Sequence, residues 1–318
     1  MAEGRLQALI AAEIDQAVAA PVTAIAAAAR QRHGAVSAVL FYGSCLRHAN
    51  LEDRIVDLYL LVDSYATAQR SRLSALANRA LPPNVYYLET QDAEGRPVRA
   101  KYAVCSLADF ATGAGGGWFH PYLWARFAQP SRLLYCRDAA VRAQVTAALT
   151  GAAAHTAREG AALMVGEFTS RELWKTLFRE TYRTELRAEG PERVDDLYEA
   201  NRGYFEAVTD AALASLRVPA ATAGDDNRPT PAKYRQGTTM RRGRLRARWR
   251  LRRAQGKLLS VLRLIKAAFT FAGGPDYLAW KIERHSGVAL VLTPWQRRHP
   301  VLAAPLLFWR LYRRGAFR

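Results

Sequence analysis

The sequence predicts an α+β fold, in which a strand-rich unit is followed by a helical unit and a strongly basic C-terminal region. Three observations carry this prediction. Short apolar runs bounded by turn residues lie between residues 35 and 106, the pattern is helical from residue 138 to about 216, and basic residues crowd the last third of the chain. At 318 residues and 50% hydrophobic content, the chain is long enough for two domains and too apolar for wholesale disorder.

The first elements are a helical segment and two strands. Residues 2–32 are alanine-rich and predict one or two helices, with a break at Pro21. The apolar runs 35–42 and 54–62 predict buried strands, and the first of them ends at a Gly-Ser pair that is typical of a tight turn.

Two further strands and a helix start follow. Residues 85–88 and 98–106 predict strands that are joined by a polar turn. Thr169 and Glu172 have the spacing of a capping box, which predicts a helix start there. The resulting division is an α+β unit at 1–137, a helical unit at 138–217, a linker rich in Pro, Gly, Thr and Asp at 218–240, and a basic region at 241–318.

Charge is concentrated at the C-terminal end. The chain has a net charge of +18, yet residues 228–318 hold 22 basic and two acidic residues, while the remainder holds 24 basic and 26 acidic ones. A near-neutral body with a basic tail implies a polyanionic partner, either a nucleic acid or an anionic membrane surface.

The densest basic segment alternates, with arginine at positions 242, 244, 246, 248, 250 and 252. In an extended chain this period would place all six on one side, whereas in a helix it would scatter them around every face. We interpret the segment as an adhesive strip for anionic lipid head groups. An RNA or DNA backbone is the rival partner, and a merely solvated basic linker is the structural alternative.

Several classes of protein are not favoured. No stretch of about 18 uncharged apolar residues is present, and the N-terminal residues carry Glu3 and Arg5, so neither a spanning helix nor a secretory signal is expected. The three cysteines have no CxxC spacing and cannot form a complete disulfide framework. We therefore expect a reduced, cytoplasmic protein, peripheral on the inner face of the membrane.

The sharpest local feature is Gly43-Ser44 at a strand end, followed 13 residues later by Asp57 on the next strand. Such a Gly-Ser turn lets backbone N–H groups and a hydroxyl approach a phosphate closely, and a carboxylate on the neighbouring strand can hold Mg²⁺ against that phosphate. The nucleotidyltransferases related to DNA polymerase β bind their nucleotide and metal ion in this way. The structural alternative is an ordinary turn.

The carboxylate pattern departs from that superfamily, which usually has two carboxylates at positions i and i+2. Here Tyr59 stands at i+2 from Asp57, and Asp63 lies about 20 Å further along an extended strand. Asp57 is therefore the predicted metal ligand and catalytic residue. Asp63 is a second catalytic candidate close to the substrate, and a solvated strand-end aspartate is the alternative.

Several segments together resemble the mitochondrial-type phosphatidate cytidylyltransferases, peripheral enzymes that make CDP-diacylglycerol for cardiolipin synthesis. In KYAVCS and in the helical segment that follows, Lys101 and Arg126 stand on the family's lysine and arginine, and Lys266 stands on the lysine of its terminal motif. The similar segments occur in the family's order and cover roughly residues 36–275: 42–44, 56–58, 62–63, 84–87, 99–106, 118–130, 167–173, 181–187 and 266–273.

The chain also departs from the family. Ala103 replaces a glycine, Thr184 stands at another glycine, and Glu185 replaces an aspartate. Residues 276–318 extend past the family's usual end. These differences bear on the choice of substrate more than on the fold.

The resemblance implies a nucleotidyltransferase domain with a mixed β-sheet, Mg²⁺ as cofactor with Co²⁺ or Mn²⁺ as substitutes, and CTP and phosphatidate in anionic membranes as partners. The reaction joins the phosphate of phosphatidate to the α-phosphorus of CTP and expels pyrophosphate. No specific nucleic acid is expected, and the oligomeric state is left open.

The resemblance also assigns roles around the turn. Tyr42, Gly43 and Ser44 would hold the nucleotide. Lys101, a lysine between apolar strand positions, would be catalytic and would meet a phosphate, or it would pair with Glu89.

Four more residues complete the predicted site. Arg126 would clamp a phosphate of the nucleotide, or it would be a helix-surface arginine. Tyr182 and Arg187 would contact nucleotide or lipid, or would only pack. Lys266 would reach an acidic lipid phosphate or snorkel to the interface.

Two other functions stay open. The chain could be a template-independent nucleotidyltransferase that acts on RNA, with the tail as its RNA grip. It could instead be a non-catalytic homologue that binds membranes and has lost the second carboxylate.

Overall fold

A computed structural model describes most of the chain, namely residues 2–47, 51, 54–69, 72–185, 192–216, 220–221, 233–236, 242–270, 291–298, 303, 306–307 and 309. The strands are β1 (Val36–Tyr42), β2 (Ile55–Val62), β3 (Asn84–Gln91), β4 (Pro97–Ser106), β5 (Ser131–Cys136), β6 (Gly166–Thr169), β7 (Ala220–Ala221) and β8 (Lys233–Gln236). The helices are α1 (Ala2–Ile14), α2 (Ala20–Gln31), α3 (Tyr65–Ala68), α4 (Arg72–Ala80), α5 (Leu107–Ala114), α6 (Trp124–Phe127), α7 (Ala139–Leu163), α8 (Ser170–Tyr182), α9 (Glu192–Glu199), α10 (Arg202–Ser215), α11 (Arg242–Thr270) and α12 (Pro294–Arg298).

The α+β fold is confirmed, and its main sheet is mixed. Five strands lie in the order β3-β4-β2-β1-β5, with β2 and β4 parallel and the other neighbours antiparallel. The four strands predicted from apolar runs are β1 to β4. The edge strand β5 was not predicted, because its six residues lack a long apolar run.

Apolar side chains cover both faces of this sheet, because successive side chains of a strand point to opposite sides. On one face Val39 and Leu58 pack with Val22 and Ile25 of α2. The opposite face packs against α1, α5, α6 and α7 through the residues Ala38, Leu40, Tyr59, Leu61, Ala103 and Cys105.

The helical unit is built around the 25-residue helix α7. The predicted capping box is confirmed at the start of α8, where the Thr169 side chain accepts from the Glu172 backbone and the Glu172 side chain accepts from the Thr169 backbone. The N-terminal helix α1, which lies within the predicted first unit, packs against α10 and α7. One apolar core therefore continues from the sheet into the helices.

Part of the predicted linker is ordered as sheet. Strands β7 and β8 lie between residues 218 and 240, and β8 pairs antiparallel with both β6 and β7. Tyr234 of β8 is buried with its ring centroid 5.7 Å from that of Phe168. The turn-rich composition of this segment did not predict a strand, but the buried contact between Tyr234 and Phe168 stabilises β8.

The alternating arginines belong to a helix, so the extended arrangement is excluded for them. Helix α11 has 29 residues, and its Leu245 and Trp249 pack against Trp124 and Leu177 of the body. No helix in the described part of the chain is both long and apolar enough to cross a bilayer.

Candidate functional site

Four side chains form a row across the main sheet, which we call the cross-sheet row: Tyr42, Asp57, Lys101 and Tyr87. Tyr42 pairs with Asp57 between β1 and β2, Asp57 with Lys101 between β2 and β4, and Lys101 with Tyr87 between β4 and β3. Directly paired residues project to the same face of a sheet, so the row lies on the face that the helical unit covers.

The centre of the row is an ion pair. Lys101 Nζ lies 3.0 Å from Asp57 Oδ1, and the two side chains are 37% and 23% exposed. Despite this distance the approach lacks hydrogen-bond geometry, and Oδ1 is buried without a hydrogen-bond partner among the described residues. The expected ion pair of Lys101 with Glu89 is replaced by this one, since Glu89 sits opposite Arg99 and accepts from its Nε at 3.0 Å.

The predicted Gly-Ser turn stands directly beside the Asp57 carboxylate. Gly43 has a φ of +91°, and a Cβ at this position would lie 3.0 Å from Asp57 Oδ2. Glycine is therefore required both for the backbone conformation and for the close approach. The chain then enters a short 3₁₀ turn, Ser44–Arg47, directly after Gly43.

Arg126 lies beside the row, and its guanidinium is mostly buried, so it is not a helix-surface arginine. Its Nη1 donates to the Tyr42 hydroxyl at 3.5 Å, its Cζ lies 4.5 Å from the Tyr122 ring centroid, and its Nη2 lies 3.9 Å from Glu185. Burial opposes its charge, but Tyr122, Tyr42 and Glu185 outweigh burial and hold the pKa of Arg126 above its usual range. A permanent cation is thus fixed among aromatic rings.

Tyr42 and Tyr59, two tyrosines near this cation, are neutral at physiological pH. Burial raises the pKa of Tyr42 to about 12, although Arg126 partly offsets this effect. Burial also raises the pKa of Tyr59, the residue at the position where a second carboxylate was sought. Tyr59 lies two residues beyond Asp57 on the same face of β2. Its ring centroid is 5.0 Å from that of Phe127, and it is a core residue.

Asp63 does not join Asp57. Strand β2 runs unbroken from Ile55 to Val62 in continuous register with β4, so Asp63 follows the opposite end of the strand. There it accepts from Ser37 Oγ at 2.5 Å and pairs with Arg137 at 2.5 Å, and these contacts lower its pKa. The predicted catalytic role of Asp63 therefore loses its geometric basis.

The remaining predicted residues are spread around the site. Tyr182 ends α8 and packs, partly buried, against the main core, while Arg187 lies outside the described residues. Lys266 of α11 donates from Nζ to the carbonyls of Leu81 and Pro83, the latter at 2.7 Å. Burial, followed by the nearby Arg263, lowers the pKa of Lys266 to about 8.

Sequence reasoning missed Arg263 and the central position of Tyr122. The Arg263 Cζ lies 4.0 Å from the Tyr122 ring centroid, and its Nε donates to the Pro82 carbonyl at 3.3 Å. Burial, and then Arg263, lowers the pKa of His120 to about 4, so this imidazole is neutral at physiological pH. Arg263 had no local signal, because only the docking of α11 brings it to the sheet.

The donor set fits one mode of Mg²⁺ binding. The described residues contain no group of three or more His, Cys, Asp or Glu side chains that could hold a metal ion by themselves. Mg²⁺ is, however, usually held by one or two carboxylates together with substrate phosphates and water. Asp57 suits this mode as the protein ligand, because its Oδ1 has no hydrogen-bond partner among the described residues and its Oδ2 lies beside Gly43.

Positive charge predominates around the row, where Lys101, Arg126 and Arg263 face Asp57 and Glu185. Such an arrangement can bind a polyphosphate and neutralise charge that develops on it. No known family model matches the chain, and no curated protein matches it either.

Proposed function

We propose that the chain is a peripheral phosphatidate cytidylyltransferase built on a nucleotidyltransferase fold. It would transfer CMP from CTP to phosphatidate and release CDP-diacylglycerol and pyrophosphate. The observation that carries the proposal is the position of Asp57, which stands against the Gly43-Ser44 turn and beside Lys101. The ordered series of family-like segments supports the same function.

Each residue has a task in this reaction. The Gly43 backbone and the Ser44 hydroxyl hold the triphosphate, and Arg126 binds one of its phosphates as a fixed cation. Asp57 holds the magnesium ion, which when bound neutralises phosphate charge. Lys101 adds a positive charge next to the departing pyrophosphate. A phosphate oxygen of phosphatidate attacks the α-phosphorus of CTP, and the bond from that phosphorus to the pyrophosphate oxygen breaks.

The pairing and directions of the strands in the main sheet support the proposed nucleotidyltransferase fold. The antiparallel pair β1–β2 brings the Gly-Ser turn and Asp57 together, and the parallel strand β4 adds Lys101 at the same level. A nucleotidyltransferase needs a phosphate-binding turn and a metal-binding carboxylate on adjacent strands, and this arrangement provides both.

The outward face of α11 supports work at a membrane surface. Leu251, Leu258, Val261 and Leu262 are exposed on it, and Arg250 is exposed beside them. Apolar insertion and charge attraction are the two contributions that stable peripheral binding needs. The outward side chains of this helix therefore support the proposed membrane contact.

The test is a transfer assay with the full chain, CTP, Mg²⁺ and phosphatidylcholine vesicles that contain phosphatidate. We expect CDP-diacylglycerol and pyrophosphate in equal amounts, no product after chelation of the metal, and no product when phosphatidylglycerol replaces phosphatidate. CTP consumption without lipid product would contradict the proposal. Elongation of an RNA by the same preparation would favour an RNA nucleotidyltransferase instead.

One observation favours a non-catalytic homologue as the second candidate. Tyr59 occupies the place of a second carboxylate, and the remaining carboxylate, Asp57, is already paired with Lys101. This candidate predicts vesicle binding without Mg²⁺-dependent CTP binding. Titration of CTP into the chain with and without Mg²⁺ separates the two.

A further inference from the structure

Two guanidinium groups from distant parts of the chain share one aromatic ring. Arg126 of α6 lies 4.5 Å from the Tyr122 ring centroid, and Arg263 of α11 lies 4.0 Å from the same centroid. Cation–π contact holds each arginine in a fixed position without using all of its N–H donors.

Among the described residues no carboxylate lies within ion-pair distance of Arg263, and the carboxylate that pairs with Arg126 is Glu185, at 3.9 Å. Lys266 follows Arg263 on the next turn of the helix and feels its charge. Like charges that are held together in a partly buried place favour the binding of an anion.

Arg263 also connects the site with the outward face of α11. Leu262 and Val261 precede it directly, are 42% and 43% exposed, and continue the apolar surface that begins at Leu251. Arg263 itself turns inward, where it meets Tyr122 and the Pro82 carbonyl. A ligand with a phosphate head and acyl chains could therefore contact the inner and the outer side of one helix.

We propose that Arg263 binds the phosphate monoester of the lipid acceptor, while Arg126, on the same Tyr122 ring, stays with the nucleotide. The inference rests on the proposed function and deepens it, because it separates an acceptor-phosphate subsite from the nucleotide subsite. The planar fork of Arg263 can donate to two of the three terminal oxygens of a phosphate monoester, whereas a phosphodiester lipid has two terminal oxygens and a smaller negative charge.

The test compares Arg263→Gln with Arg202→Gln, which changes an exposed arginine of the helical unit. Dihexanoyl phosphatidate is titrated into the full chain, and the KM values for phosphatidate and for CTP are measured separately. We expect Arg263→Gln to weaken phosphatidate binding by about tenfold or more and to raise the KM for phosphatidate, while the KM for CTP stays within about twofold. Arg202→Gln should bind this soluble lipid as the wild type does.

Arg263→Lys provides a second variant if the glutamine variant does not fold, since it keeps the charge and loses the fork. It should show intermediate binding. Wild-type binding by both variants of Arg263, or an equal loss of CTP and phosphatidate binding, would overturn the inference. Equal affinity of the wild type for glycerol 3-phosphate and for dihexanoyl phosphatidate would overturn its lipid part.

Failure of the inference can be told from failure of the proposed function. Transfer of CMP to phosphatidate with an unchanged KM in Arg263→Gln would overturn the acceptor subsite alone. Phosphatidate binding that depends on Arg263, without any CMP transfer by the wild type, would overturn the proposed function and leave the subsite in place.

Discussion

Two ion pairs of this molecule differ in burial and in how many hydrogen bonds their carboxylates accept. Both carboxylate oxygens of Glu159 in α7 accept hydrogen bonds from Arg252, at 2.6 and 3.1 Å, and one of them also accepts from Arg248 at 2.7 Å. The Glu159 and Arg252 side chains are 5% and 1% exposed. Among the described residues the ion-pair partner of Asp57 is Lys101, and this pair is several times more exposed.

The difference lies in what remains for a ligand to satisfy. The oxygens of Glu159 already accept hydrogen bonds from Arg248 and Arg252, so this ion pair attaches α11 to the body of the protein. Asp57 retains a buried oxygen, Oδ1, without a hydrogen bond among the described residues, and its other oxygen, Oδ2, lies beside Gly43. An incomplete pair of this kind is typical of a binding site, whereas a complete one is typical of structure.

Breaking the complete pair should give the largest effect. Glu159→Gln leaves Arg252 buried without a counter-charge, so we expect the free energy of unfolding to fall by about 3–5 kcal/mol in chemical denaturation. The matched control is Glu206→Gln, which removes an exposed pair with Arg202 and should cost less than about 1 kcal/mol. Equal losses in both variants would contradict the structural role of Glu159.

The same variant has a pH signature. Burial alone would raise the pKa of Glu159, but Arg252 and Arg248 lower it below its usual value of 4.5. The unfolded chain therefore binds the proton first as the pH falls. The advantage of the wild type over Glu159→Gln should be complete above pH 4.5 and should shrink as the pH falls through the lowered pKa.

Breaking the incomplete pair should have the opposite outcome. Asp57→Asn should leave the free energy of unfolding within about 1 kcal/mol of the wild type and reduce CMP transfer by about a hundredfold or more, because the metal ligand is lost. Asp63→Asn is the matched control and should retain at least about half of the activity. Retention of more than about a tenth of the activity by Asp57→Asn would remove Asp57 from the metal site.

A third set of substitutions compares the exposed arginines of α11 with its buried Arg252. Arg252 turns inward to Glu159, whereas Arg244, Arg246 and Arg250 are exposed. Replacing these three with glutamine should weaken binding to anionic vesicles at least tenfold, at about 1 kcal/mol for each charge, and should hardly affect neutral vesicles. Vesicle co-sedimentation at two salt concentrations measures this, and high salt should mimic the substitution.

The control for that experiment replaces three exposed arginines of the helical unit: Arg171, Arg183 and Arg202. It removes the same charge from another surface and should keep vesicle binding close to that of the wild type. Tight, salt-sensitive binding of single-stranded RNA without vesicle binding would support the RNA-binding alternative.

The smallest expected effect concerns Lys266, which is neither fully buried nor paired in the manner of Glu159. Its pKa of about 8 in the folded chain lies below the usual lysine value of 10.5, so the unfolded chain holds the proton more tightly between these values. Stability of the wild type relative to Lys266→Met should thus rise by about 1 kcal/mol between pH 7.5 and 9.5. A constant difference in denaturation over this range would show that Lys266 is not buried.

Local patterns predicted the first four strands and the capped start of α8, since their apolar runs, turn residues and cap spacing lie close together in the chain. They also singled out the Gly43-Ser44 turn and Asp57. The partner of Lys101 was not predictable, because the parallel pairing of β2 with β4 decides it. Arg263 and the inward arginines of α11 were missed for the same reason, since only long-range packing distinguishes them from exposed ones.

The cross-sheet row has a consequence for the kinds of genetic change that the chain can tolerate. Tyr42, Asp57, Lys101 and Tyr87 come from four strands at one register level, and their common face depends on the alternation of side chains within each strand. Deleting a single codon within β2 or β4 would turn every later side chain of that strand to the opposite face. In-frame deletions inside these strands should therefore abolish the site, whereas deletions in the turn between β3 and β4 should preserve it.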